Sequence, residues 1–352
     1  MMDSTMTTMS MGPQMGRPLP AGKFPGDLLE SFLKALNIED PSILIEARAG
    51  EDIAAVDISN EETLILTSDP ITFVSDALGY YPVLINANDI ATSGATPRWF
   101  LGTLLAPPGT SPREVFGILY EMAETCRKWH ISLCGGHTEI TDAVTRPVIT
   151  GMMAGTVKRS KLLDKRHMKT GDVVLLTKAV AVEGTAIIAH EFEGRLLASG
   201  FSQEDIASCK QFIDQLSVLK EADIAGNHEG VMAMHDVTEG GLATALDELS
   251  IAGGYRIRAD LERIPRYRET DQVCRAVDIH PMGLIGSGSL LVCCSRETSK
   301  DLLEKLTAAD IQAACIGEVL EPGRGVAAFE NAKPAKWPHF DVDEITHLFR
   351  RS

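Results

Sequence analysis

Five short acidic motifs constrain this chain more than any other feature. Each sets a carboxylate among small residues, either where an apolar strand ends or inside a weakly polar helix. They are Gly50-Glu51-Asp52-Ile53-Ala54-Ala55, Ser68-Asp69-Pro70, Asn86-Ala87-Asn88-Asp89-Ile90-Ala91, Gly135-Gly136-His137-Thr138-Glu139 and His235-Asp236-Val237-Thr238-Glu239-Gly240-Gly241. An isolated carboxylate in such a place is costly unless something positive neutralises it. Several brought together repel one another, and a hard divalent cation with oxygen ligands relieves that repulsion. A triphosphate then supplies further oxygens. The pattern predicts a fold that gathers these segments around a metal ion and a nucleotide.

The rest of the chain is compatible with that. Its 352 residues suffice for two domains with their own cores. Hydrophobic residues at 44% and charged residues at 23% suit a globular protein. A formal charge of −16 argues against nucleic-acid binding, which calls for a basic face. It does not exclude ATP, because metal ions and helix N-termini hold phosphates in acidic proteins. No apolar run reaches membrane-spanning length, so a soluble, cytoplasmic protein is expected. The seven cysteines form no CxxC pair, which predicts buried free thiols rather than a zinc clip or redox pair. Cys293 and Cys294, adjacent in a strand, would point to opposite faces.

Residues 1–22, rich in Met, Ser, Thr, Gly and Pro, read as a disordered leader, followed by an amphipathic helix carrying Leu28, Leu29, Phe32, Leu33 and Leu36. A first α/β domain is expected over 23–158. Its strands are Thr63–Thr67, Ile71–Val74, Arg98–Leu105, Ile131–Cys134 and Pro147–Val157, and its helices Tyr81–Gly94 and Pro112–Trp129. Lys158–Thr170 reads as a charged linker. A second domain, over 171–330, has strands Asp172–Thr177, Val231–His235, Gly288–Cys294 and Ala313–Ile316. Its helices lie near Glu183–His190 and over Gln203–Leu216, Gly241–Ala252 and Thr298–Ala308. The tail, 331–352, with Trp337 and Phe340, reads as a polar surface strap.

Within the motifs, Pro70 should interrupt the strand ladder and leave Asp69 in an irregular exposed position. Asp89 sits in a segment apolar enough to be buried, where it either caps a loop or binds a cation. Gly135 and Gly136, in a loop after a strand, would let backbone N–H groups approach an anion; without a Gly-Lys-Ser/Thr sequence this is not a Walker loop. His137 is either a base or a hydrogen-bonding scaffold. Thr238 would cap the following helix, whose first N–H groups would form an anion site. Lys178 either reaches a phosphate or stands solvated on the surface.

Taken in this order, the motifs resemble those of the aminoimidazole ribonucleotide synthetase (PurM-like) superfamily, which includes selenophosphate synthetase, thiamine-monophosphate kinase and the hydrogenase maturation factor HypE. The similarity runs from about Gly22 to Glu321 and lies nearest the HypE-like, synthase-related branch. It is carried by Gly50–Val56, Thr67–Phe73, Asn86–Pro97, Gly135–Glu139, Met234–Gly241 and Ser287-Gly288-Ser289. The resemblance implies a two-domain α/β (α+β) fold, in which the N-terminal domain pairs with a second subunit in an intersubunit β-barrel, with ATP in a cleft near that interface. It implies Mg2+ held by Asp52, Asp69, Asp89 and Glu139, with Asp236 a further ligand. Asn88, Gly135, Gly136, His137, Thr138, Thr238 and Glu239 would surround the nucleotide.

The expected function is ATP-dependent activation of an oxygen on a small molecule or partner protein. The alternatives are a small-molecule kinase of the thiamine-monophosphate type and a non-catalytic nucleotide-binding maturation partner. HypE ends in Pro-Arg-Ile-Cys, and this sequence ends Leu348-Phe349-Arg350-Arg351-Ser352, so HypE's self-modifying chemistry is not expected here. The glycine-rich stretch of relatives is reduced to Ala21–Gly26, no Cys/Sec-Lys pair of the selenophosphate type lies near the start, and Ser68 stands where many relatives carry Thr.

Overall fold

The computed structural model describes Glu30 and residues 40–350, apart from 47, 49 and 60. The expected leader and all but Glu30 of the amphipathic helix lie outside the described residues. The first half builds a six-stranded sheet from β1 (Ile43–Ile45), β2 (Ala54–Asp57), β3 (Glu62–Ile71), β4 (Thr96–Ala106), β5 (Ser132–Ile140) and β6 (Val148–Lys158), in the order β1-β2-β3-β6-β4-β5. All neighbours are antiparallel except β4 and β5.

Two helices cover one face of this sheet. In α1 (Tyr81–Thr92) Pro82 occupies the first turn, and every residue is buried. The helix stops where Thr92 and Ser93 turn their hydroxyls back onto the carbonyls of Asp89 and Ile90. α2 (Pro112–Lys128) starts with a capping box between Ser111 and Glu114 and buries only the stripe Met122, Thr125 and Cys126. Asp69, Gly151, Gly102 and Gly136 pair across four strands and share the helix-facing side. Gly151 must be glycine for the helix to dock, because a Cβ there would sit 2.5 Å from Asn86 Nδ2.

Three expectations for this half change. The segments 63–67 and 71–74 are not two strands; β3 is continuous through Pro70, which pairs with Thr150. The proline is tolerated because β2 leaves β3 after Leu66, so the strand has an open edge there. The Asn86 amide satisfies that edge, accepting from Asp69 N–H at 3.0 Å and donating to its carbonyl at 3.4 Å. Asp69 is thus half-buried in a regular strand, not displayed on an irregular one. Gly135–Glu139 is likewise not a loop but the body of β5, an edge strand whose nine residues are all exposed.

The second half forms a seven-stranded sheet from β7 (Val173–Thr177), β8 (Val231–Asp236), β9 (Tyr255–Asp260), β10 (Leu290–Cys294), β11 (Ala313–Pro322), β12 (Val326–Glu330) and β13 (Lys333–Ala335), in the order β13-β12-β9-β11-β7-β10-β8. One face packs against α3 (Val182–Glu191), α7 (Gly241–Gly253) and α8 (Arg268–Val277), through Val174, Leu176, Leu291 and Cys293. The other meets α6 (Leu219–Gly226) and α9 (Ser299–Ala308), through Val173, Leu175, Val292 and Cys294. Cys293 and Cys294 face opposite ways as expected, and burial pushes the pKa of each thiol up. Short helices α4 (Glu193–Ala198), α5 (Gln203–Lys210) and α10 (Ile345–Arg350) complete the unit.

Two further corrections concern the connections. The segment expected as a helix over 203–216 is α5 followed by a 3-10 turn at Gln211–Gln215. The tail is not a polar surface strap: Ile345 and Leu348 are fully buried, and Phe349 packs between Phe73 and Phe192. One hydrophobic core runs from Ile45 through Phe100 to Leu348, joining the two halves. α1 lies at their junction, contributing Leu84 and Ile90 to this core and Ala91 to the cluster beneath α6.

Candidate functional site

The junction brings four of the sequence-predicted carboxylates together. Asp89 projects from α1, Asp69 from the helix-facing side of β3, Asp52 precedes β2, and Asp236 ends β8. Thr67 Oγ1 links two of these segments, lying 2.9 Å from Asp89 Oδ2 and 3.1 Å from the Asp52 carbonyl. Asp52, His235 and Asp236 present potential ligand atoms within 4.8 Å of one another.

Two basic groups that sequence reasoning missed stand inside this cluster. Lys165, in the connection between the sheets, donates to Asp52 Oδ2 at 2.8 Å and lies 3.4 Å from Glu51 Oε2. His235 Nδ1 is 2.8 Å from the same Asp52 oxygen. Burial alone would push the Asp52 carboxyl up, but His235 and Lys165 override it and hold it well below the usual carboxylate range. Burial would lower His235, and the Asp52 carboxylate instead raises it to about 9.

Asp236 and Asp89 are shifted the other way. Burial pushes Asp236 up to about 7, with Asp52 adding to the effect. Asp89 is raised well above its ordinary value by burial and then by Asp236, Asp69 and Asp52. Asp236 Oδ2 is buried with no hydrogen-bond partner, while His235 Nε2 faces Glu248 Oε2 at 3.4 Å. Crowded carboxylates with an orphaned oxygen make a donor set that fits a hard divalent cation. Asp52 and Asp236 offer carboxylate oxygens within ligand range of one another, and Asp69 and Asp89 stand close enough to add to the same negative field.

Glu139 is placed elsewhere. It pairs with Leu105, whose neighbour Leu104 is buried beneath the helices, so Glu139 points to the opposite face of the first sheet from Asp69. His137 shares that face, its Nε2 3.5 Å from Glu139 Oε2, and both are exposed. Gly135, Gly136 and Thr138 lie along the same edge strand. A single chain does not bring this motif to the other four.

Asn88 is buried and ties the two halves together: its Nδ2 donates to the Leu216 carbonyl and its Oδ1 accepts from Val218 N–H. Thr238 does not cap α7 through its side chain; its carbonyl accepts from Gly241 and Gly286. The cap is Gly240, whose φ of +85° and close approach to Thr244 exclude a side chain. Its N–H is not open to an external anion, because Asp343 Oδ2 accepts it at 2.6 Å. Lys178 is neither solvated nor reaching for a phosphate. Its ammonium is buried on the Ser217 and Gly288 carbonyls and on Glu221. Lys165 escaped notice because Asp164-Lys165-Arg166-His167 reads as an ordinary polar connection.

These features define a two-sheet α/β protein with a carboxylate centre where its halves meet. The N-terminal part, residues 50–157, matches the family model of the AIR synthase related protein N-terminal domain, and residues 169–330 match that of the C-terminal domain; the chain belongs to this family. It is 26% identical over 317 residues to a putative hydrogenase expression/formation protein of Methanocaldococcus jannaschii, covering 87% of this chain and 90% of that one. To the carbamoyl dehydratase HypE of Cupriavidus necator it is 25% identical over 290 residues, 79% of each. Among solved structures it superimposes on Escherichia coli HypE with a TM-score of 0.69 at 21% identity, covering 90% of this chain and 98% of that one. It also superimposes on AaThiL in complex with AMPPCP and TMP, with a TM-score of 0.67 at 19% identity, covering 89% and 95%. No helix among the described residues is long and apolar enough to cross a membrane.

Proposed function

We propose that this chain is an ATP- and Mg2+-dependent enzyme that activates an oxygen of a small molecule or partner protein by phosphorylating it. The observation that carries this is the four-aspartate centre with its orphaned Asp236 oxygen, in a chain of the AIR synthase related family. Asp52, Asp69, Asp89 and Asp236 would hold Mg2+, whose chemistry is to neutralise charge on the polyphosphate. Thr238 and Glu239, on the turn just past Asp236, would flank the nucleotide. A HypE of similar fold has been solved in complex with ATP.

The bond between the β,γ-bridging oxygen and the γ-phosphorus breaks, a new bond forms to the acceptor oxygen, and ADP leaves. Loss of a proton or attack by a nucleophile then expels inorganic phosphate. The carbamoyl dehydratase relatives favour a carbonyl or amide oxygen as acceptor. The protein's part is to position the reactants and keep water out.

A homodimer completes the reading. The sheet face opposite the helices carries exposed Leu101 and Met152, and the β5 edge adds Leu133 and Ile140. An exposed apolar edge strand is a template for pairing, and a second copy set against it would close a barrel. That arrangement would put Gly135–Thr138 and Glu139 at the interface, where they would complete the nucleotide site.

The test uses Asp89→Asn, which keeps size and removes charge. ATP turnover with Mg2+ should fall by about a hundredfold or more, and the calorimetric signal of Mg2+-dependent ATP binding should disappear. Turnover equal to that of the unaltered protein would overturn the assignment. Phosphate released with an altered acceptor marks activation, and phosphate kept on the product marks a kinase.

A further inference from the structure

We infer that Asp343, far from the motifs in sequence, is a positioning residue for the nucleotide-facing turn Asp236–Gly241; this rests on the function proposed above. Its carboxylate is buried, 2% exposed, at the N-terminus of α7. Oδ2 accepts from Gly240 N–H at 2.6 Å and Oδ1 from Ile345 N–H at 2.8 Å. One carboxylate therefore binds the motif turn with one oxygen and the start of α10 with the other.

The tail around Asp343 is held independently, so the carboxylate is delivered by a fixed arm. Trp337 Nε1 donates to the Ala243 carbonyl in α7. The Phe340 ring lies over Gly283, where a Cβ would come within 2.5 Å of it. Glu344 accepts from His280 N–H and donates its own N–H to the Gly283 carbonyl. Ile345 and Leu348 anchor the last helix in the core.

The geometry has a consequence for the site. Gly240 has no side chain to fix its orientation, and Thr238 makes no side-chain cap. Without a side-chain cap, the turn that carries Thr238 and Glu239 is oriented by its backbone bonds. Thr238 and Gly241 close it internally, Gly286 N–H braces it through the Thr238 carbonyl, and Asp343 Oδ2 accepts from Gly240 N–H. The carboxylate also meets the positive end of the α7 dipole. It occupies the position an external anion would otherwise take at the Gly240 N–H.

The experiment compares the full-length unaltered protein with Asp343→Ala and Asp343→Asn. ATP is titrated calorimetrically in the presence of Mg2+, with and without added formate, and hydrogen exchange is followed in the peptide containing Gly240. Asp343→Ala should bind ATP about tenfold more weakly and expose the Gly240 amide to exchange. Formate, small enough to fill the vacated position, should restore both. Asp343→Asn, which offers one acceptor in place of two, should fall between and gain nothing from formate. A purely structural tail contact would lower the melting temperature without formate-dependent recovery of ATP affinity, and that result would overturn the inference. ATP bound equally by all three proteins would also overturn it while leaving the proposed function intact. Failure of the unaltered protein to bind ATP would overturn the proposed function, and this inference with it.

Discussion

At the scale of single residues, the centre depends on a balance between four aspartates and two bases. Lys165 is the more revealing base, because its ammonium is buried and Asp52 accepts from it directly. Removing one partner of a buried ion pair leaves the other charge uncompensated, which costs about 3–5 kcal/mol. Lys165→Met should therefore lower the urea-unfolding free energy by about that much, and Lys165→Arg should recover part of it. A change below about 1 kcal/mol in Lys165→Met would mean that Asp52 does not need the ammonium. The aspartates were legible in the sequence because a carboxylate beside Gly, Ala or Asn in an apolar setting has few structural uses. Lys165 and His235 were not, because a lysine in a charged connection and a histidine at a strand end both have common surface roles. Only the fold shows that they converge on one oxygen.

At the scale of elements, periodicity identified α1, α2, α7, β7 and β10 close to their observed bounds, since each has a strong apolar pattern. It failed where a long-range partner overrides local chemistry. Pro70 signals a break, yet β3 continues because Asn86, from α1, satisfies the edge that β2 vacates. Gly135-Gly136 signals a loop, yet β4 recruits the segment as a parallel edge strand. The exposed face of that sheet makes its own prediction. Met152 pairs with Leu101 and Ser68 at the middle of the uncovered side. Met152→Lys would put a charge at the centre of the proposed dimer interface without touching the helix-packed side. Sedimentation should show a dimer for the unaltered protein and a monomer for Met152→Lys, with a cooperative melting transition retained. A monomer in both cases would rule out the barrel.

On the scale of the whole molecule, the two halves share one core and one cluster of acids, so protonation and folding are linked. Glu183 and Asp343 are both driven up to about 7, in each case chiefly by burial. Glu183 accepts from Ser287 N–H, and Asp343 sits on the α7 turn, so both lie in the second half, clear of the four aspartates. A carboxyl whose folded pKa exceeds its unfolded value stabilises the fold fully below about 4 and loses that contribution as pH rises to about 7. Shifts of this size correspond to roughly 3–4 kcal/mol for each group. Asp52 acts in the opposite sense: its depressed pKa stabilises the fold above the ordinary carboxylate range, and that contribution is lost only on acidification. Metal-free protein should therefore be most stable near pH 5 and weaken steadily toward pH 8 in urea titrations. Mg2+ should flatten the upper part of that profile, because a cation at Asp236 favours the ionised carboxylate that burial disfavours. Asp343→Asn removes one of the carboxyls raised by burial, beside Glu183, Asp236 and Asp89, and should reduce the slope between pH 5 and 7 by about a quarter. A stability that rises from pH 5 to pH 8 without Mg2+ would show that these buried carboxyls are not held protonated in the folded chain.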